Sequence, residues 1–253
     1  MRYSRGHLRR IVFVCALAAF PGISSAQYRV WTVGAFAGYG RLSLDAVDEK
    51  NQADVSGWSS QGYSLPPLTS VKDAPLYSFC VSYRYDRDFG LALTGSTWSK
   101  TVSSSYNGAD AVLSLERGVG CTTVGLGVMY FPAARPFFME WYVQTDLGIC
   151  FARATAKASG YVMVKNGSLL YPSPFVETDA RYSRSKMSAG VTIGGDAPLA
   201  AGFLLHADAG YRFAQVGEMD GDVTQMGQHS VQTSSIDFNF SGLLVSAGIR
   251  YRF

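Results

Sequence analysis

His206 is followed two residues later by Asp208, and His229 is followed directly by Ser230. Serine, histidine and a carboxylate are the working parts of a nucleophilic hydrolase: the imidazole takes the hydroxyl proton and the acid orients the ring. Such a set is defined by geometry across a fold, and no spacing here ties Ser230 and His229 to an acid. No catalytic residue is therefore assigned, and the expected reading is non-enzymatic. A second group of reactive side chains is ionisable and dispersed: Arg84, Glu140, Asp146, Lys186, Asp208, Arg212 and Arg250. A third is Cys80, Cys121 and Cys150. Metal sites usually draw their ligands in close pairs, which these cysteines do not form, so neither a metal nor a cofactor is expected.

The elements that hold these residues are legible from a period of two, the signature of half-buried strands. The alternation recurs eight times. Trp31, Val33, Ala35, Ala37 and Tyr39 share one face of the first segment, with Thr32, Gly34, Phe36 and Gly38 on the other. Later segments set Tyr77, Phe79, Val81 and Tyr83 against Cys80 and Arg84; Phe89, Leu91 and Leu93 against Ala92 and Thr94; and Val124, Leu126 and Val128 against Gly125 and Gly127. The remaining four set Leu147, Ile149 and Phe151 against Gln144, Asp146 and Gly148; Met187, Ala189, Val191 and Ile193 against Lys186 and Thr192; Ala201 through Phe213 against His206, Asp208 and Arg212; and Leu243 through Phe253 against Arg250 and Arg252. Phe238 and Phe240 fall on the opposite parity to the last apolar stripe, which predicts a bulge or a switch in exposure near Ser241. Short connections are expected around Asp86–Asp88, Pro132–Pro136 and Gly194–Pro198. The others are long and polar, including Asp45–Pro75 and Arg153–Ser183.

Three features say what surrounds these strands. Residues 1–26 have an arginine-rich start, an apolar stretch from Ile11 to Phe20 and small residues at Ser24, Ser25 and Ala26, the layout of a cleavable secretory signal. Cleavage near Ala26 would leave residues 27–253 as a single barrel domain. The signal holds four of the 22 Lys and Arg residues and none of the 19 acids, so the remainder carries 18 basic against 19 acidic groups. A net charge of −1 gives no electrostatic case for nucleic acid. Finally, aromatic residues collect at both ends of the apolar stripes. Tyr83, Tyr85, Phe89, Tyr130, Phe137, Tyr251 and Phe253 lie toward the short turns, and Tyr39, Tyr77, Phe79, Phe151, Tyr211 and Phe213 toward the long loops. Two aromatic belts around a Leu, Val, Ile and Ala band match two membrane–water interfaces. The predicted fold is an all-β, eight-stranded antiparallel transmembrane barrel in a bacterial outer membrane, with short periplasmic turns and long extracellular loops.

Val245, Ala247, Ile249, Tyr251 and the terminal Phe253 alternate to the end of the chain. This pattern resembles the C-terminal signal by which barrel-assembly machinery recognises outer-membrane proteins. With eight strands and four long loops, the chain is similar to the small barrels of the outer-membrane protein A and X type. The resemblance implies the fold, a lipid environment and insertion by that machinery. The sequence ends at Phe253, so the peptidoglycan-binding domain of longer relatives is not expected.

A charge facing lipid at mid-depth costs about 2–4 kcal/mol, so the seven dispersed ionisable residues are expected in the lumen as ion-pair clusters. Arg84, Glu140 and Arg250 belong near the periplasmic rim; Asp146, Lys186, Asp208 and Arg212 lie further out. Cys121 and Cys150 are a candidate disulfide if the paired residue numbers sum to 271. In the third loop, Tyr161–Val164, Asn166-Gly167 and Leu169–Tyr171 read as a hairpin with an edge open to a partner chain. The function these features imply is structural or a surface interaction (adhesion or ligand binding) through the loops. The alternatives are an enzyme modifying lipid or lipopolysaccharide, and a narrow solute channel.

Overall fold

The computed structural model describes residues 29–132, 139–166 and 169–253. Residues 1–26, expected to be a secretory signal, most of the expected short connection at 132–136, Phe137, and residues 167–168 lie outside the described residues. In chain order the elements are β1 (Val30–Leu42), α1 (Asp45–Ser60), β2 (Asp73–Arg84), β3 (Phe89–Asn107), β4 (Ala111–Tyr130), β5 (Glu140–Asn166), β6 (Leu169–Ala200) and β7 (Phe203–Phe213). Four short strands follow, β8 (Gln215–Gly217), β9 (Asp220–Gln225), β10 (Gln228–Thr233) and β11 (Phe238–Asn239), before β12 (Gly242–Arg252) ends the chain.

The eight staves are β1 to β7 and β12. Each pairs antiparallel with the next, and β12 closes the ring by pairing with both β7 and β1. Closure gives every stave a partner on both sides through the lower part of the ring, as a sheet in hydrocarbon requires; the β6 edge opens only above Ala189. The predicted eight-stranded antiparallel barrel is the observed architecture.

The chemistry of each face changes with height. On β4 the even-numbered residues point outward throughout. Val124, Leu126, Val128 and Tyr130 are exposed, whereas the outward positions above them are Ser114, Glu116, Gly118, Gly120 and Thr122. The inward face does the reverse: Thr123, Gly125 and Gly127 lie below, and buried Leu113, Leu115 and Val119 lie above. β3 switches from outward Phe89, Leu91 and Leu93 to Ser99, Thr101 and Ser103, with Trp98 and Val102 buried inside. β5 switches after Phe151 to Arg153, Thr155 and Lys157, with Ala152 and Ala154 inside. The lower band is thus dressed for lipid. The upper section is a water-exposed turret with an apolar core of its own.

The turret corrects several expectations. β3 and β4 are paired up to Asn107 and Val112, and β5 and β6 up to Asn166 and Leu169, so these two long connections are mostly strand. The first long connection contains α1 rather than only loop. Phe238 and Phe240 share the inward parity of β12 and are buried, so exposure switches there because the surroundings change. The turn placed at Gly194–Pro198 is instead at Ala201–Gly202, both at positive φ (48° and 86°), and β6 runs on to Ala200. Ala201 accordingly belongs to the turn, not to the lipid-facing stripe of β7.

These two environments on one stave make a direct test. Leu126→Arg, inside the lipid-facing band, is expected to cost about 2–4 kcal/mol in the equilibrium of unfolding from lipid vesicles in denaturant. Ser114→Arg, on the same strand and face but in the turret, is expected to change it by less than about 0.5 kcal/mol. Equal effects would remove the boundary drawn at Thr122.

Candidate functional site: a filled lumen beneath a capped turret

At the rim nearest the short turns, Glu140 makes ion pairs with Arg84 and Arg252. Arg84 also donates to the carbonyls of Asp86 and Arg87, and its guanidinium lies 4.2 Å from the centre of the Phe131 ring. Above this cluster His206, fully buried, bridges two carboxylates: Nδ1 is 2.8 Å from Asp196 and Nε2 is 3.0 Å from Asp208. Arg250 donates to Asp196 (3.0 Å) and to the Tyr142 hydroxyl (3.3 Å), and Ser246 donates to Asp208 (2.6 Å). The Tyr142 and His206 rings stack with centres 5.9 Å apart.

A polar cavity of about 100 Å³ sits over this layer, with Asp146, Ser188, Asp208 and Arg212 among its walls. That volume holds water molecules but no substrate of ordinary size. Trp98, Cys121 and Cys150, all buried, belong to the apolar cluster further along the barrel toward the turret. Trp98 donates from its indole to the Gly40 carbonyl at 3.3 Å, and Arg212 reaches Ser96 and the Cys121 sulfur.

The structure brings the expected inward charges together only in part. Arg84 and Glu140 pair, and Arg250 and Asp208 meet in the layer around His206. Asp146 takes a single long bond from Gln144 (3.4 Å), and neither it nor Arg212 makes an ion pair among the described residues. Lys186 is exposed and also makes none. The reason is local: β6 loses β7 at Ala189, opposite Phe213, and gains β9 only at Ser183, so its edge is bare at Lys186. The outer set therefore does not close into the ion-pair cluster expected of it.

Asp196 and Tyr142 were missed by sequence reasoning. Asp196 lies in a Gly-Gly-Asp-Ala-Pro run that reads as a turn. Tyr142 had a usable signal, because it shares parity with inward Gln144 and Asp146. The Cys121 and Cys150 sulfurs lie 2.8 Å apart, but Cys121 pairs with Ala152 and Cys150 with Thr123, so the register sum is 273 and the two sit diagonally as free thiols. Cys80 is likewise a buried free thiol. Val245, Ala247, Ile249, Tyr251 and Phe253 all face outward and are exposed, within the lipid-facing band. His229 and Ser230 are consecutive on β10 and so point to opposite sides; His229 is near Asp222 (3.5 Å) and Ser230 near the Val223 carbonyl.

The turret is built on α1. Val47, Asn51 and Val55, one turn apart, are its buried stripe. Asp48 accepts from the Ser70 hydroxyl and the Val71 amide, Gln52 donates to the Leu68 carbonyl, and Arg117 pairs with Asp54 at 2.8 Å. These bonds tie residues 61–72 across the mouth. The adjacent Lys72 ammonium holds the exposed Asp45 carboxyl below its ordinary value. That tie is therefore fully present above the normal aspartate range and is lost as pH falls through the lowered value. Tyr63 stacks on Phe175, ring centres 5.4 Å apart, with Trp58 and Tyr106 packed edge-on beside them. β9 extends the sheet along β6, and β10 forms its exposed edge, turning at Met226–Gly227.

A closed antiparallel ring of eight staves, apolar outside and polar inside over one band, admits comparison with solved structures. A major outer membrane protein from Thermus thermophilus aligns over 88% of this chain and 99% of its own, at 11% identity and a TM-score of 0.51. The fold is that of a bacterial outer-membrane β-barrel. Two further similar structures are OprG from Pseudomonas aeruginosa (10% identity, 92% of this chain and 99% of that one, TM-score 0.46) and Ail from Yersinia pestis in complex with the heparin analogue sucrose octasulfate (13%, 88% and 99%, TM-score 0.42). No family model and no curated protein matches the sequence.

The layer around His206 makes the barrel's stability sensitive to unpaired charge. Arg250→Met is expected to destabilise it by about 3–5 kcal/mol, since Asp196 is left buried with only His206. Combining it with Asp196→Leu should recover a large part of that loss. A double-mutant cycle on denaturant unfolding from vesicles measures the coupling, and strictly additive effects would dismiss the pair as a linked unit.

Proposed function

We propose that this protein is an integral barrel of the bacterial outer membrane that acts non-enzymatically at the cell surface, engaging its ligand through the turret. The observation that carries this reading is the turret itself. A barrel needs only tight turns to span the bilayer, yet here four staves run well past the lipid band and enclose a second apolar core under a helix. Ordering so many residues costs on the order of 1–2 kcal/mol each in backbone entropy, which favours a role that requires a fixed shape outside the membrane.

The two alternatives find less support. A solute path would have to cross both the layer around His206 and the apolar cluster that buries Trp98, and eight staves leave an interior that side chains fill. A hydrolase would need a serine within reach of a histidine, and the strand geometry of His229 and Ser230 sends them apart. The faces best suited to a partner are strand edges. β10 is exposed along its whole length, with Val231 at 73%, and the tip of the β5–β6 hairpin is paired only with itself beyond Val162. Main-chain groups at such edges accept an added strand. The outward alternation of Val245 to Phe253 supports recognition by barrel-assembly machinery during insertion.

Replacing residues 161–174 by a two-residue turn, or residues 219–234 by a short linker, is expected to leave the heat-dependent gel shift of a folded barrel intact. The same changes should reduce attachment of expressing bacteria to matrix-coated surfaces by tenfold or more. Ser230→Ala should change neither readout. Loss of ester hydrolysis on Ser230→Ala would support the enzyme instead, and unimpaired attachment by both shortened forms would refute the edge-strand reading. Removing Phe253 should lower the amount of folded barrel in cells.

A further inference from the structure

Between α1, the walls of β4, β5 and β6, and the β9–β10 hairpin with residues 234–238 lies a pocket of about 630 Å³, separate from the polar cavity in the lumen. Small-molecule sites commonly occupy about 300–1,000 Å³ and combine apolar walls with a few placed polar groups. The walls here include Val47, Trp58, Leu115, Val119, Val176 and Phe238. The charged residues lining it, among those described, are Lys50, Asp54 and Arg117. Asp54 is shared between Lys50 (2.7 Å) and Arg117 (2.8 Å), so two cations meet one carboxylate and a unit of positive charge is left over. The remaining bonds of Arg117 go to the carbonyls of Glu116 and Lys157, both long at 3.3 Å.

Asn51 adds a second and independent observation. It lies on the buried stripe of α1 between Val47 and Val55, is only 2% exposed, and its amide nitrogen makes no hydrogen bond. An unmet amide donor in such a place destabilises the fold, and an apolar side chain would fit the stripe without that cost. Asn51 is among the residues that line the pocket, on the helix turn next to the Lys50–Asp54–Arg117 group; its amide nitrogen is closed off in the ligand-free arrangement, so a ligand head reaches it only when the amide turns toward the cavity.

We propose that this pocket binds a small amphipathic carboxylate, with its apolar body against the walls and its acid head accepting from Asn51 and balancing the excess charge of Lys50 and Arg117. Burial of an alkyl chain gains affinity with every methylene removed from water, so a chain of about ten carbons supplies ample affinity before the head is counted. The pocket lies inside the turret and shares Gln232 and Thr233 with the β10 edge, so its ligand is tested separately from whatever that edge binds.

The full chain in lipid nanodiscs, titrated with decanoate and read by tryptophan fluorescence, tests the proposal. A saturable change is expected that disappears in Trp58→Phe, because Trp58 alone of the tryptophans lines the pocket. Decylamine, with the same chain and the opposite charge, should give only the unsaturating drift of partition into lipid. Asn51→Leu should weaken decanoate about tenfold while raising the thermal midpoint of the ligand-free protein, since one change removes both the donor and its unmet cost. Ala154→Phe, which fills the pocket from the β5 wall, should abolish the saturable change while keeping the heat-dependent gel shift. The proposal is overturned by absence of saturation, by an equal saturable response to decylamine, or by a lowered midpoint in Asn51→Leu. Attachment of bacteria carrying Asn51→Leu should match that of the parent, which keeps this result distinct from a failure of the surface-interaction reading.

Discussion

Hydrocarbon offers no partner to a peptide N–H or C=O, and the rest of this molecule follows from that constraint. Eight strands can meet it only by closing, and the closing seam is the ladder between β1 and β12, running from Thr32–Arg252 to Leu42–Gly242. A ring of eight is narrow. A Cβ added at Gly248 or Gly242 would collide with the backbone of β1, so the tight inner wall at these positions admits only glycine. The same narrowness brings Glu140, Asp196, His206, Asp208 and Arg250 within bonding distance of partners. Charges driven off the lipid face have nowhere to go but a space too small to hydrate them fully, and they solve the problem by bonding one another.

Above the lipid the constraint lapses and the alternation is put to the opposite use. The staves keep their register and inward parity across the boundary: odd residues face inward on β4 from Leu113 to Met129. Only the partner of each face changes, from lipid to water outside and from polar lumen to apolar core inside. The turret therefore needs no new architecture, only a reversal of which parity is apolar. It also needs a lid, because a wider apolar interior open to water would be unstable, and α1 with residues 61–72 supplies it.

How much of this was legible in the sequence follows from the same two solvents. The lipid band was readable because a membrane enforces strict alternation and sorts aromatics by height, and that sorting favoured a membrane barrel over a soluble sandwich with its apolar face inside. The turret was not read because the signal sought was an apolar stripe of fixed parity, and Leu113, Leu115 and Val119 break it against Val124 and Leu126. Phe238 and Phe240 carried the same clue in β11 and the link to β12. α1 was hidden by composition: only Val47 and Val55 mark its inner face, and Asn51 between them reads as solvent-exposed. Asp196 was hidden by its Gly and Pro neighbours, although a barrel stave tolerates both near a rim where the ladder is ending.

The two sections also divide the labour of evolution differently. In the lipid band almost every position answers to a physical demand: outward residues to hydrocarbon, glycines to a close neighbour, inward charges to a partner. Change there is costly whatever the ligand. The outward face of the turret answers only to water, so Ser114, Glu116, Lys157, Asp179 and Arg181 are free to vary without unfolding anything. The interior of the turret lies between these extremes. Its walls must remain apolar to hold the lid, yet a pocket of this size and an unmet amide persist within it. A pocket that persists between apolar walls is the feature that packing alone does not account for, and it is the part of the turret that the carboxylate proposal addresses.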